Sequence, residues 1–455
     1  MKPPKRSWPR RMLNRMEVDQ AVFFAVVARY WQFMTGPITL VLVVQFFTPE
    51  VQGFYYAFWS VIGLQVFLEL AFPQTVITLA SHTWSKLQLD DRLGLTGDLD
   101  AASRLTDLYQ TTQLLFFALA GIFAVIVGYA GLWFFGADAA ASEVVWRAPW
   151  LWLTAISAIT FAFIPSLAVL EGCGQVKSIY QFNLIRNIAG SLAVWAVISW
   201  GGGLWAPVAA AAMRLLCEWA LLAGRYRRFF IRLWQPPLGA RVEWRKEVWP
   251  FQSRLLARGL FNYLNADLML PVVFRYQDAA VAGQFGMTWN ILLSVSGACS
   301  AWVRTRTPQF GALVASKSYR ELDRIFFRVS WIGLAMLAVM TSGFVMAVWI
   351  LSMWEPRYAN RFLAMEPTLI LAVGSCAALA MSFQWYYLHA HGKSPYLGIS
   401  LLGCCLSGLL IWILGMKIGV LGVATAYAVM HALIYLPLST WGFMHLRRKW
   451  HSDEP

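Results

Sequence analysis

Apolar runs of membrane-spanning length constrain this chain more than any other feature. They fall at about 21–47, 54–80, 112–135, 146–170, 179–200, 203–224, 251–274, 283–302, 327–351, 365–389, 395–415 and 419–444. About 20 apolar residues cross a bilayer as a helix. Strands are far shorter, and in hydrocarbon only a helix satisfies every backbone group of so long a run. The composition agrees: 59% of the 455 residues are hydrophobic and 13% charged, against about 25% charged in a soluble chain. A soluble enzyme, a disordered chain and a fibrous repeat are excluded. The expected fold is an all-α integral membrane protein of about twelve transmembrane helices. The basic first twenty residues lead into a run too long for a signal-peptide core, with no small-residue cleavage site after it, so that run is read as a retained first span.

The net charge of +14 follows from the loops and does not point to nucleic acid. With the amino terminus inside, 27 Lys and Arg side chains fall in inner segments and 5 in outer loops. This bias places both termini in the cytoplasm; the expected location is the cytoplasmic (inner) membrane. The six cysteines lie in or beside apolar runs without CxxC spacing, so neither a metal site nor a cofactor is expected. The outer loops are short and their acidic residues scattered, which leaves little room for an enzyme acting outside the bilayer.

The sequence also repeats. Val51-Gln52-Gly53 aligns with Val281-Ala282-Gly283, Pro73-Gln74 with Pro308-Gln309, and Gly202 through Arg214 with Gly419 through His431. Six spans per repeat is even, so the halves share one orientation. The expected organisation is a basic cytoplasmic N-terminus at 1–20, a six-helix bundle at 21–224, a basic linker at 225–250, a second six-helix bundle at 251–446 and a tail at 447–455.

Five arginines remain inside spans: Arg29, Arg186, Arg214, Arg254 and Arg258. Each costs at least about 2.5 kcal/mol to place in hydrocarbon, so such residues usually face a bundle interior or a wet cavity. At 1.5 Å per residue, Arg29, Arg186, Arg214 and Arg258 lie roughly 10–17 Å from the inner ends of their helices. Polar stripes support an inward face: Arg254, Arg258, Asn262 and Asn265 on span 7, and Arg29, Gln32, Gly36 and Thr39 on span 1. Several readings stay open. Arg254 is either a lining cation or a side chain snorkelling to the inner headgroups. Arg214 and Glu218, four residues apart, are either site groups or a structural ion pair, and Glu69 has the same choice with Arg29. Asp267, half a turn off the span 7 stripe, suits an interhelical partner. His431 suits a core hydrogen bond as well as a titrating role.

Arginine is planar, permanently charged and bidentate, so an array of arginines suits a phosphate-bearing substrate. A lipid-linked sugar carrying pyrophosphate fits, with its headgroup in a wet, cationic central cavity and its polyprenyl tail in lipid.

The segment Phe47 to Tyr55 (FTPEVQGFY), the later turn Ala279 to Phe285, Asn265-Ala266-Asp267 and Leu170 to Gln175 (LEGCGQ) carry a resemblance. They are similar to the polysaccharide and O-antigen flippases of the multidrug/oligosaccharidyl-lipid/polysaccharide exporter superfamily. The resemblance implies two six-helix bundles, alternating access, and undecaprenyl-pyrophosphate-linked oligosaccharide as cargo for polysaccharide biosynthesis. Membrane lipids and polysaccharide polymerase or assembly proteins would be partners. The related lipid II flippases have more spans than twelve. Span 1 lacks the acidic residue typical of the superfamily's cation-coupled drug exporters. A Na⁺- or H⁺-coupled exporter of a small metabolite or drug stays open as the alternative, with Glu69, Asp267 and His431 as its coupling groups.

Overall fold

The computed structural model describes residues 20–69, 72–90, 94–136, 144–237, 239–240, 242–244, 263–391 and 397–451. These divide into two compact units. The first holds residues 20–47, 64–136 and 145–244, and the second holds 48–63 and 263–451.

In the first unit α1 (Gln20–Phe46) packs on α8 (Val176–Ser199). Between α1 and α8 run α3 (Gln65–Glu69), α4 (Phe72–Trp84), the long α5 (Leu99–Gly136), α6 (Arg147–Ala162) and α7 (Ile164–Gly172). Then α9 (Trp205–Trp219) leads through a π-helical turn (Ala220–Arg225) into the short α10 (Arg227–Leu233). The helix α2 (Pro49–Ile62) belongs to the second unit. That unit continues with a π-helical turn (Tyr263–Asp267), α11 (Met269–Tyr276), α12 (Ala279–Arg304) and α13 (Thr307–Ala315). It ends with α14 (Tyr319–Trp354), α15 (Met365–Ala390), α16 (Leu397–Ile418), α17 (Val420–Ala428), a π-helical turn (Val429–Tyr435) and α18 (Leu436–His451).

Eight helices among the described residues are long and apolar enough to cross a membrane. The expected second span does not form one rod: a turn at Gly63 and Leu64 separates α2 from the helical residues that follow. Half of the expected span at 251–274, residues 251–262, lies outside the described residues. The expected span at 283–302 lies in α12, whose sequence is dotted with Ser, Thr, Asn and Gln.

The sequence repeat has physical counterparts. Thr48 accepts from the Val51 N–H at 3.3 Å to cap α2, and Asp278 accepts from the Val281 N–H at 2.7 Å to cap α12. Five residues beyond each cap stands a glycine, Gly53 or Gly283, and the two helices cross there. A Cβ on Gly53 would fall 1.7 Å from the Ala279 carbonyl oxygen. The buried Gln52 donates to the Gly283 and Arg361 carbonyls at 2.8 and 3.1 Å. Pro308 occupies the second position of α13, and its sequence counterpart Pro73 lies in α4. Gly203 and Gly419, with φ of 54° and 68°, turn the chain into α9 and α17, and both helices run into π-helical turns.

Each unit has its own core. In the first, Phe116 stacks on Phe161 at 5.0 Å, and Trp150 donates to the Gly128 carbonyl at 3.1 Å, filling the space that Gly131 leaves. In the second, Phe326, Tyr387 and Phe443 form an aromatic cluster.

Two features depart from the expected inner loops. Residues 87–97 hold a two-stranded antiparallel hairpin, β1 (Leu87–Asp90) and β2 (Gly94–Gly97), with Leu87 opposite Gly97. The segment expected as a linker is packed into the first unit as far as residue 244, with Val242 buried in its core.

Candidate functional site

The first unit gathers the intramembrane charges of spans 5 and 6. Helix α8 presents Arg186 and helix α9 presents Arg214 and Glu218. The Glu218 side chain has 0% exposure, and its Oε1 accepts from Arg186 Nη1 at 3.1 Å and from Arg214 Nε at 2.9 Å. Its other oxygen, Oε2, is buried without a hydrogen-bond partner among the described residues. The Arg186 guanidinium also lies 5.8 Å from the Phe182 ring centroid, one turn earlier on the same helix.

One carboxylate therefore holds two guanidiniums: the Arg214–Glu218 pairing that the sequence left open forms, and Arg186 joins it. Neither is used up. A guanidinium carries five N–H donors; Arg186 spends one on Glu218 through Nη1 and Arg214 one through Nε. The side chains keep 24% and 42% exposure. The three side chains together carry a net charge of +1.

Glu69 does not pair with Arg29. Its carboxylate accepts from Gln65 Nε2 at 2.6 Å, one turn back on α3, and lies within the electrostatic reach of Arg214. Arg29 and Gln32 are exposed on α1, and Arg29 forms no ion pair among the described residues. Their helix is nevertheless the neighbour of the one bearing Arg186. Trp31 Nε1 donates to Ser191 Oγ at 3.3 Å and Trp195 Nε1 to Thr39 Oγ1 at 2.9 Å, which clasps α1 to α8. That register puts Arg29 and Arg186 within about one helical turn of the same depth, about 5 Å.

Arg254, Arg258 and Asn262 lie outside the described residues. Asn265 is 4% exposed in the second unit, far more buried than a lining residue would be. It lies beside the Tyr435 hydroxyl, as does Ser407. His431 is also buried. Its Nδ1 stands 2.9 Å from the Tyr427 carbonyl, an acceptor only, so Nδ1 carries the proton. Its ring centroid lies 4.2 Å from that of Tyr427 and 5.2 Å from that of Tyr435. Asp267 is exposed, and its carbonyl accepts from Ser60 Oγ at 2.7 Å. The sequence reading missed Ser407, Tyr427 and Tyr435. The spacing of 427, 431 and 435, one helical stripe of aromatic rings, was the available signal.

The spans and the paired units define a multi-pass helical membrane protein. No family model matches the sequence, and no curated protein matches it. Solved structures do. An inward-facing multidrug resistance MATE family transporter of the MOP superfamily is similar over 95% of this chain and 100% of that one, with a TM-score of 0.66 at 14% identity. The lipid II flippase MurJ in an inward closed conformation gives a TM-score of 0.63 at 14% identity, covering 94% of this chain and 90% of that one. A mutant of the Vibrio cholerae MATE transporter VcmN gives 0.53 at 14% identity, with 96% of each chain covered. The chain has the fold of the MOP-superfamily transporters.

Proposed function

We propose that this protein moves a polyprenyl-pyrophosphate-linked oligosaccharide across the cytoplasmic membrane for polysaccharide biosynthesis. The observation that carries the reading is the triad: Arg186 and Arg214 are held in place by Glu218 while both side chains stay partly exposed. Two oriented guanidiniums suit a phosphate oxygen pair, which the planar fork of arginine binds in bidentate fashion. Arg29, at nearly the same depth on the adjacent helix, extends the positive surface. A cationic drug would meet repulsion there. A relative in fold is named a lipid II flippase, so the architecture is compatible with a lipid-linked cargo. The loop charges support termini on the cytoplasmic side, where the cargo would be collected.

The test is export in cells carrying Arg186→Gln, Arg214→Gln or the double variant, with protein level checked by immunoblot. Lipid-linked repeat units should accumulate on the cytoplasmic face, at least tenfold over the parent in the double variant. Unimpaired surface polysaccharide with normal protein level would remove these residues from the cargo path.

A second reading, a proton-coupled exporter of small molecules, is favoured by one observation: a histidine buried among tyrosines in the second unit. His431→Gln separates the two, because glutamine can still donate to the Tyr427 carbonyl but cannot take up a proton near neutral pH. A pH profile of transport that is flattened by the change supports proton coupling. An unaltered profile assigns His431 to packing.

A further inference from the structure

The chain following α9 is built as a surface. On α10 and its flanks, Tyr226, Phe229, Phe230 and Leu233 are buried. Phe230 and Trp234 both pack on Tyr109 of α5, at 5.4 and 5.8 Å. Beyond α10 the chain is fastened along one stripe of α5, Asp100, Ser103, Asp107 and Gln110, at spacings of 3, 4 and 3. Gln110 donates to the Leu233 and Gln235 carbonyls at 2.9 and 2.7 Å. Ser103 accepts from the Gly239 N–H at 2.8 Å and Asp107 from the Val242 N–H at 3.0 Å. Asp100 accepts from the Ala240 N–H at 3.4 Å.

The opposite face carries Arg225, Arg227, Arg228 and Arg232, all exposed, with Ile231 at 54% and Trp234 at 45% exposure among them. No acidic residue occurs in the sequence between Glu218 and Glu243. A face turned to bulk water needs charge but gains nothing from an exposed indole beside an exposed isoleucine. Arginines interleaved with Trp and Ile match the bilayer interface, where the stems and rings sink into the acyl boundary and the charges meet phosphates.

We propose that the exposed face of α10 docks on the headgroups of anionic phospholipids in the adjoining leaflet. Charge complementarity selects this occupant: four cations in eight residues meet a surface of opposite sign, at about 1 kcal/mol for each basic residue, or about fivefold. Because the following chain is pinned to α5, the docked lipid holds the base of the first unit. The inference is independent of what cargo is carried.

Hydrogen exchange of the full-length protein in nanodiscs tests it locally. In phosphatidylglycerol-containing nanodiscs the amides of 226–235 should exchange more slowly than in pure phosphatidylcholine, by about fivefold for each arginine engaged, and 0.5 M salt should abolish the difference. The triple variant Arg225→Gln, Arg227→Gln, Arg232→Gln should lose the difference while exchange at 100–110 stays as in the parent, which shows that the fold persists. The corresponding triple lysine variant should retain it, since the attraction is one of charge. Equal exchange in the two lipids, persistence of the difference in the glutamine variant, or its loss in the lysine variant would each overturn the proposal.

Discussion

A single carboxylate sets the geometry of the candidate site. Glu218 has no exposure and holds two guanidiniums through one oxygen. Glutamine at this position keeps the shape but turns an attraction into a contact of a neutral amide with two cations. Removing one partner of a buried charge pair costs about 3–5 kcal/mol, and both arginines reach solvent, so about 3 kcal/mol is expected for Glu218→Gln. Thermal or denaturant unfolding in detergent checks this; an unfolding midpoint equal to the parent's would mean that the arginines do not depend on the carboxylate. Part of the cluster was legible in the sequence. Arg214 and Glu218 are four apart, so their contact on one helix face followed from the period alone. The recruitment of Arg186 was not legible, because it depends on how α8 and α9 are set side by side. The pairing of Glu69 with Arg29 failed for a local reason: Gln65 stands four residues before Glu69 and takes its carboxylate first.

At the level of elements, the crossing of α2 and α12 is fixed by glycines. A side chain at Gly283 would place its Cβ 2.8 Å from the Gly53 nitrogen, and Gly53 is tighter still. The backbones leave no room, so Gly53→Val is expected to lower stability by about 3 kcal/mol or more, at the upper end of overpacking costs. Gly121, in the interior of α5, is different: a Cβ there would meet nothing within 4 Å, and Gly121→Ala should raise stability by about 0.5–1 kcal/mol. Unfolding curves for the two variants give the contrast; a neutral Gly53→Val would show that the helices do not need this approach. The caps, glycines and prolines behind the crossing were visible as a repeat of short motifs, and they gave the local starts of α2, α9, α12, α13 and α17. The partner of α2 was not visible, since nothing within 48–63 states which unit its glycine faces. The hairpin at 87–97 was also hidden. Its two strands are four residues each, too short for alternation to stand out from a polar loop.

On the scale of the whole molecule, the described residues of the two units differ in charge at these positions although their sequences repeat. Where the first places Arg186, Arg214 and Glu218, the second places the neutral set Ser407, Asn265 and Tyr435 beside His431. On the proposed function, this asymmetry would let the protein bind an anion without carrying a compensating cation with it. If the cargo takes two negative charges outward, an inside-negative potential assists by about 2.3 kcal/mol per charge per 100 mV. For two charges at 100 mV that is about 4.6 kcal/mol, more than a thousandfold in the equilibrium distribution. Purified protein in liposomes, with the potential set by a potassium gradient and valinomycin, provides the measurement. Outward movement of a fluorescent polyprenyl-pyrophosphate sugar should speed up when the compartment holding the cargo is negative, and slow when the polarity is reversed. The dependence should weaken in Arg186→Gln/Arg214→Gln protein that still binds lipid. A rate indifferent to polarity in the parent protein would mean that the cargo's charge is neutralised in transit, which moves the driving force to an ion and gives the buried histidine of the second unit the coupling role.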